Sequence, residues 1–195
     1  MVEWTRLAKQ YGRRRLFSGL TGRLEPGRVL AVIGKNGSGK STFLRILAGL
    51  VRPDAGTVSY GGLTRADFGY AAPDTAVYAE LTGIENVALF ARLRGIDIEQ
   101  AREWLDRAGL RKAGGKLAGS YSSGMRQRLK LACAMIHDPA VLLLDEPTIA
   151  LDTDGVAFVE NILAGCIEAG KCVAVATNDP LEAERWGVSR LALDL

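Results

Sequence analysis

The sequence has few of the residues that disulfide-stabilised, metal-binding and membrane-spanning proteins require. It contains 3 cysteines and 1 histidine, and none of the cysteines stands in a C-x-x-C pair or a cysteine/histidine metal pattern. An odd number of cysteines without a secretory signal predicts reduced thiols and a cytoplasmic location. The apolar runs are too short to cross a bilayer. Any role at the inner face of the membrane would therefore depend on a separate membrane partner.

Composition and charge are those of an ordinary folded domain. The 195 residues are 48% apolar and 24% charged, which is enough to bury the core of one α/β domain over residues 1–195. The formal net charge of +3 is modest. The basic run Arg13-Arg14-Arg15 could contact nucleic acid or an anionic surface, but it is more typical of a solvated turn beside a strand. No nucleic-acid partner is expected.

A glycine-rich stretch forms the first chemical motif. It fits G-x-x-x-x-G-K-[ST] and consists of Gly34, Lys35, Asn36, Gly37, Ser38, Gly39, Lys40 and Ser41, followed by Thr42. An apolar run precedes it and a helical pattern follows it, which is the strand–loop–helix context that the motif requires. The glycines allow backbone N–H groups to point inward at phosphate oxygens. Lys40 reaches the β- and γ-phosphates, and the Ser41 hydroxyl can ligate Mg²⁺. The stretch therefore predicts a nucleoside triphosphate site.

Two carboxylates at the end of a later strand are typical of the second half of such a site. The apolar run 141–144 ends in Asp145 and Glu146. Asp145 can hold Mg²⁺ through water, and Glu146 can polarise the attacking water. An isolated Asp-Glu pair has little specificity. Its position at a buried strand end, about a hundred residues after the phosphate loop, makes the NTPase interpretation specific.

The spacing of apolar residues predicts the order of strands and helices. Strand patterns lie at 2–7, within 16–33, and at 57–60, 67–71, 141–144, 173–177 and 189–193. Amphipathic helical patterns occupy about 74–137 and, separately, 155–169. Because strands alternate with helices, the core sheet should be mostly parallel. The expected fold is an α/β P-loop NTPase with short strands at the N-terminus and a helical subdomain inserted at about 74–137.

With both halves of the site in place, the chain resembles the ATP-binding subunits of ABC transporters over nearly all of its length. The phosphate loop looks like the Walker A motif of that family, and 141–147 looks like Walker B with its catalytic glutamate. The resemblance implies the ABC ATPase type of fold, with antiparallel N-terminal strands, and implies ATP and Mg²⁺ as ligands. It also implies that Tyr11 stacks on adenine and that Asp152, in the loop after Walker B, lies at the contact with a second chain.

A third motif carries the same resemblance. The stretch Tyr121-Ser122-Ser123-Gly124-Met125, followed by Arg-Gln-Arg, matches the family signature normally written L-S-G-G-Q. Without the resemblance, Ser122 and Ser123 would be interpreted as an ordinary helix cap. The family uses this motif between chains. Two copies pack head to tail, and Ser122, Ser123, Gly124 and Met125 of one chain would hold the γ-phosphate bound by the other at a helix N-terminus.

The chain departs from the family pattern at positions that affect hydrolysis. The signature has Ser123 and Met125 where the family usually has Gly and Gln. The expected Q-loop glutamine falls on Pro73, which has no side-chain amide, and Asp74 beside it is the candidate substitute as a metal ligand. The expected switch histidine is Asn178, which can hydrogen-bond a γ-phosphate but cannot carry a positive charge. ATP binding should be little affected, whereas the hydrolysis rate is open.

The resemblance predicts an ATP-hydrolysing motor subunit of an ABC transporter. Its partners would be a second ABC ATPase chain, with a homodimer expected, and an integral membrane subunit. Glu146, Lys40 and Asn178 would be its catalytic residues. A finer similarity, to the haem-exporter ATPases of cytochrome c maturation, rests on 16–20 and 154–156. Two alternatives stay open: a soluble ABC ATPase that is not a transporter, and a nucleotide-gated binding module that hydrolyses ATP weakly.

Overall fold

The computed structural model describes residues 1–186 and 189–193 and contains two sheets. The strands of the described residues are β1 (Val2–Tyr11), β2 (Arg14–Leu24), β3 (Arg28–Ile33), β4 (Ala55–Ser59), β5 (Phe68–Ala71), β6 (Val141–Asp145), β7 (Cys172–Thr177) and β8 (Ser189–Ala192). The smaller sheet is antiparallel, in the order β2-β1-β4. The larger has five strands in the order β5-β6-β7-β3-β8, and all its neighbours are parallel. The predicted fold class is confirmed.

Helices connect the parallel strands. They are α1 (Lys40–Leu47), α2 (Gly83–Leu93), α3 (Glu99–Arg107), α4 (Ser123–Met135), α5 (Thr153–Glu168) and α6 (Pro180–Trp186). Three of them, α2 to α4, lie between β5 and β6, in the segment that the apolar pattern predicts to be helical. Among the described residues, no helix combines the length and the apolar character needed to cross a bilayer.

The parallel sheet is buried on both faces, which explains its uninterrupted apolar strands. In β6, Leu142 and Leu144 pack in one apolar cluster with the helices α2 to α5. Val141 and Leu143, which alternate with them, pack in a second cluster with α1 and the antiparallel sheet. Strands covered on both faces are typically runs of Val, Ile, Leu and Ala rather than alternating patterns. This burial fixes the position of the strand ends from which the functional loops leave.

The sequence predicts that the first strand ends at residue 7, but β1 continues through Tyr11, and the turn consists of Gly12 and Arg13. The physical reason is pairing with β2, in which Tyr11 lies opposite Arg14. A strand is predicted from its pattern of apolar residues, and exposed residues add nothing to that pattern. The exposed end of a strand is therefore missed even when it pairs with the next strand.

A buried amide holds the segment between β5 and α2. Asn86 has no exposed surface. Its Oδ1 accepts a hydrogen bond from the Tyr78 N–H at 2.9 Å, and its Nδ2 donates to the carbonyl oxygens of Tyr78 at 3.0 Å and Thr82 at 2.9 Å. One side chain on α2 thus satisfies several backbone groups of the loop that also contains Pro73. A polar group without exposed surface is stable only because it is bonded in this way.

Asn86→Ala is expected to lower the free energy of unfolding by about 2 kcal/mol, because it leaves backbone groups of the loop without their partner. The control is Asn161→Ala, which removes the same side chain from the exposed face of α5 and should change stability by less than about 0.5 kcal/mol. Urea unfolding followed by circular dichroism measures both. Equal effects of the two substitutions would contradict the structural role of Asn86.

Candidate functional site

The glycine-rich loop joins the end of β3 to the start of α1 beneath a cleft of about 430 Å³. The lining of the cleft consists of Tyr11, Arg14, Leu16, Asn36, Gly37, Gly39, Lys40, Ser41, Thr42 and Glu146. Gly39 immediately precedes α1 with φ +105°, a value that side-chain-bearing residues rarely adopt. A Cβ at this position would also lie 3.0 Å from the Leu16 Cβ. Gly39 therefore allows α1 to begin directly under the cleft, where its first N–H groups have no helical acceptor.

Lys40 is a buried cation in this loop. Its side chain is 6% exposed, and its Nζ donates to the Gly34 carbonyl oxygen at 2.7 Å. The same Nζ lies 3.7 Å from Oε1 of Glu146. The ammonium group thus lies between the phosphate loop and the end of β6. A buried ammonium held by the carbonyl oxygens of Gly34 and Lys35 beside one carboxylate is well suited to neutralise the charge of a phosphoryl group.

Asp145 is the last residue of β6 and is 2% exposed. Burial raises the pKa of its carboxyl group, while hydrogen bonding by Ser41 and the charges of Arg45 and Lys40 act in the opposite direction. Its Oδ1 has no hydrogen-bond partner among the described residues. Since a buried carboxylate oxygen without a partner is costly, this atom is a suitable acceptor for a metal-bound water.

Glu146 follows Asp145 in a left-handed backbone conformation, with φ +47°. Its N–H donates to the Ala176 carbonyl oxygen of the neighbouring strand at 2.8 Å. The side chain is 20% exposed. Burial raises the pKa of its carboxyl group, and the Lys40 ammonium and the Asn178 N–H partly oppose that shift. Glu146 is therefore a half-buried carboxylate that faces the cleft beside the loop lysine, a position suited to a general base.

Asn178 follows β7 and meets the phosphate loop. Its Nδ2 donates to Oδ1 of Asn36 at 3.3 Å. Its backbone N–H also lies close enough to the Glu146 carboxylate to oppose the rise of its pKa, so that the segments after β3, β6 and β7 meet at one point. The sequence predicts that these three segments lie together only because the core sheet is expected to be parallel. In the structure they do lie together.

Arg14 lines the cleft and begins β2, although its basic run is predicted to be a solvated turn. Its Nη2 donates to the Gly37 carbonyl oxygen at 2.8 Å. Opposite it across the β1–β2 pair, Tyr11 is 54% exposed at the cleft, and the Lys9 Nζ lies 5.3 Å from its ring centroid. The signal that could have identified Arg14 is its pairing with Tyr11. That pairing places an arginine and an aromatic ring side by side at the same edge of the cleft.

The signature-like motif begins α4. Ser122 caps the helix, and its Oγ accepts the Met125 N–H at 3.2 Å. Ser122 and Ser123 are exposed, whereas Gly124 packs closely against the loop after β6. A Cβ on Gly124 would lie 2.8 Å from the Ala150 carbonyl oxygen, so that this position needs glycine.

The loop after β6 is tied to α4 and continues into α5. The buried Gln127 donates through Nε2 to the Pro147 carbonyl oxygen at 3.0 Å. Asp152 caps α5, where its Oδ1 accepts the Gly155 N–H at 2.9 Å, and Ile149 is 54% exposed. The loop that contains Asp152 thus presents an apolar side chain to solvent beside the start of α4. Its contact with a second chain stays a prediction.

Two cationic side chains, Arg45 and Lys130, bond the segment around Pro73. The Asp74 carboxylate lies 2.5 Å from Nη2 of Arg45, and the side chain is 66% exposed. The Lys130 Nζ donates to the carbonyl oxygens of Ala72, at 3.3 Å, and Pro73. Asp74 is therefore engaged by an arginine on α1, which competes with metal binding. A metal role for Asp74 remains a prediction.

The residues present fit a magnesium nucleotide. The loop supplies N–H groups and Lys40 for phosphates, and Ser41 and Asp145 lie together at its end. In residues 1–186 and 189–193, no three Asp, Glu, His or Cys side chains converge on a common metal position. Mg²⁺ usually keeps several waters and binds through one or two protein groups together with substrate phosphates. The donor set therefore suits Mg²⁺ bound with a nucleotide rather than alone.

Similarity to known proteins agrees with this site. A family profile described as ABC transporter matches residues 17–149. The daunorubicin resistance ATP-binding protein DrrA3 of Streptomyces coeruleorubidus is 38% identical, over 91% of this chain and 60% of that protein. The Nod factor export ATP-binding protein I of Paraburkholderia xenovorans (strain LB400) is 33% identical, over 94% of this chain and 64% of that protein. The chain thus spans less than two thirds of the length of these relatives.

Solved structures agree in fold. The dimeric structure of MJ0796, a bacterial ABC transporter cassette, superposes with a TM-score of 0.89 and 26% identity, over 100% of this chain and 94% of the other. A structure described as the ATP-binding subunit of an ABC transporter has the same TM-score and identity, over 98% of this chain and 85% of the other. The motifs, the sheet order and these similarities lead to one conclusion: the chain belongs to the ABC transporter family.

Proposed function

We propose that this chain is an ATP-hydrolysing motor subunit of an ABC transporter. The observation that carries the proposal is the meeting of Lys40, Asp145 and Glu146 at the ends of two parallel strands, beside a loop suited to phosphates. We further propose that residues 1–195 act as one ATP-binding domain. Its helical part, about 74–137, shares an apolar cluster with the parallel sheet.

The residues divide the chemistry among themselves. The loop N–H groups and Lys40 hold the β- and γ-phosphates, and Tyr11 stacks on the base. Glu146 accepts a proton from water as the water oxygen attacks the γ-phosphorus. The bond to the β–γ bridging oxygen breaks, and ADP and phosphate result. Mg²⁺, held through Ser41 and Asp145, would neutralise charge on the phosphate oxygens. Lys40 lies beside the same oxygens and stabilises the negative charge that develops there.

A second copy of the chain would complete the site. The start of α4 is exposed, and its first turn carries no acidic residue. The positive end of a helix with a free serine hydroxyl is a suitable ligand for an anion. We infer that Ser122, Ser123, Gly124 and Met125 of one chain contact the γ-phosphate on the other, with Asp152 near the contact. The dimeric structure of a related cassette supports the pairing of two chains.

Exporter relatives support a transport role. The relatives named above are ATP-binding proteins of daunorubicin resistance and of Nod factor export. We propose that closure of the two chains around ATP drives a separate membrane subunit of an exporter and that the chain is located at the inner membrane face through that subunit. The finer resemblance to haem exporters remains a prediction.

One observation favours the weakly hydrolysing alternative. Pro73 lacks the amide of a glutamine, and Asn178 is bonded through its side chain to Asn36 and lacks an ionisable ring. Against this, Glu146 and Lys40 are both present and 3.7 Å apart. The base and the phosphate-binding cation are therefore in place, and we expect hydrolysis.

Glu146→Gln is expected to lower the steady-state rate of ATP hydrolysis by at least about a hundredfold, because the amide cannot accept the proton from water. ATP affinity should stay within about twofold, since the loop and Lys40 are unchanged. The control is Glu168→Gln at the exposed end of α5. A rate near zero in the wild-type chain that stays unchanged in Glu146→Gln would contradict the motor function and favour the binding module.

The membrane partner can be tested with the same variant. The Glu146→Gln chain is purified with Mg-ATP from gently solubilised native membranes. We expect an integral membrane protein to copurify with it, and mass spectrometry identifies that protein. The matched control is the Lys40→Ala chain, which should not close on ATP and should retain the partner less well. Recovery of soluble proteins alone, under conditions that preserve membrane complexes, would contradict the transporter role and favour a soluble ABC ATPase.

A further inference from the structure

Glu182, on α6, belongs to none of the sequence motifs, yet both oxygens of its carboxylate accept hydrogen bonds beside the site. Its Oε2 accepts a hydrogen bond from the Thr177 hydroxyl at 2.6 Å. Its Oε1 accepts one from the Thr148 hydroxyl. The residue is only partly exposed. One carboxylate therefore binds two hydroxyl groups through its two separate oxygens, and charge-assisted bonds of this kind are stronger than neutral ones.

The two threonines belong to the two segments that carry the reactive groups. Thr148 lies two residues after Glu146, and Thr177 ends β7 immediately before Asn178. The Thr177 oxygen accepts the Asp179 N–H at 3.0 Å. Its proton is therefore free to point at Glu182, which fixes the direction of that bond. Glu182 thus joins the end of β6 to the end of β7 through side chains alone.

Backbone contacts add to these side-chain bonds around Glu146. The Glu146 N–H donates to the Ala176 carbonyl oxygen at 2.8 Å, and the Asn178 N–H lies close enough to the Glu146 carboxylate to oppose the rise of its pKa. Glu146 also has φ +47°, a conformation that residues with a side chain rarely adopt and that persists only when the surroundings enforce it. The bonds through Glu182 contribute to such surroundings.

The helix that carries Glu182 is packed against the rest of the protein. Ala183 and Trp186 of α6 are buried against the body of the protein. Arg185 donates to Oε1 of Glu160 on α5 at 2.9 Å. A carboxylate on a packed helix can hold the hydroxyl groups of neighbouring segments in fixed positions.

We propose that Glu182 is a positioning residue that clamps the segments after β6 and β7, so that Glu146 and Asn178 keep a fixed separation. The inference rests on the proposed ATPase function for its kinetic consequence, but the clamp itself is a property of the chain alone. Loss of the clamp should misplace the base without weakening nucleotide binding, since Glu182 contributes nothing to the lining of the cleft in the described residues.

The experiment compares variants that break the clamp from either side. Glu182→Ala removes the acceptor, and Thr148→Val removes the donor of the segment after β6 with little change of volume. Glu182→Gln restores one acceptor oxygen. Glu184→Ala, on the exposed part of the same helix, is the control. Hydrogen exchange followed by mass spectrometry is measured for the segments 146–152 and 177–180, and the kcat and KM of ATP hydrolysis are measured in parallel.

Glu182→Ala is expected to speed exchange in both segments about tenfold while β6 itself stays protected, and to lower kcat about tenfold with KM within about twofold. Thr148→Val should match it in the segment 146–152, Glu182→Gln should fall between, and the double variant Glu182→Ala, Thr148→Val should lose nothing further. Unchanged exchange in Glu182→Ala, faster exchange over the whole sheet, or additive losses in the double variant would each overturn the clamp. A wild-type chain without ATPase activity would refute the proposed function, and the exchange rates would still decide on the clamp.

Discussion

The site depends on the parallel register of three neighbouring strands. In the order β6-β7-β3, Asp145 lies opposite Ala176 and Ile33 lies opposite Thr177, so that the three carboxyl ends stop at nearly the same level. Parallel strands place their following loops at one edge of the sheet, where ligands of α/β proteins bind. The phosphate loop, the pair Asp145-Glu146 and Asn178 meet for this reason. A one-residue shift of β6 would turn Asp145 to the other face of the sheet.

The sequence predicts the local parts of this arrangement well. A glycine loop between a strand and a helix, and a carboxylate pair at the end of an apolar strand, depend on neighbours within about ten residues, and such patterns can be read directly. The mostly parallel character of the core sheet follows from the alternation of strands and helices. The predicted end of the first strand at residue 7 is wrong because the exposed residues up to Tyr11 leave no apolar pattern.

The parts that the sequence does not predict depend on contacts between distant segments. Arg14 reaches Gly37 through the pairing of β1 with β2, and Gln127 reaches Pro147 from a different helix. Glu182 bonds Thr148 across 34 positions of sequence. Each is a polar residue that a single sequence would assign to an exposed surface. Only the fold shows that a polar side chain ends at the site, because neither periodicity nor spacing encodes its partner.

The departures from the family pattern occur where the chain has built other contacts. Asp74, beside Pro73, pairs with Arg45, and Lys130 holds the carbonyl oxygens of the same segment. Charged side chains of the chain thus hold the loop at which the family resemblance predicts a glutamine. Asn178, where the resemblance predicts a histidine, contacts Asn36.

The sharing of one active site between two chains can be tested by mixing two inactive variants. Lys40→Ala removes the phosphate-binding cation, and Ser123→Asp places a negative charge at the start of α4, where it favours the helix but repels a phosphate. A mixed dimer would contain one site with an intact Lys40 and an intact partner Ser123. If the site is shared, mixing should restore up to about a quarter of the wild-type ATPase rate, as random pairing of the chains allows. No recovery, or full activity of Ser123→Asp alone, would contradict a shared site.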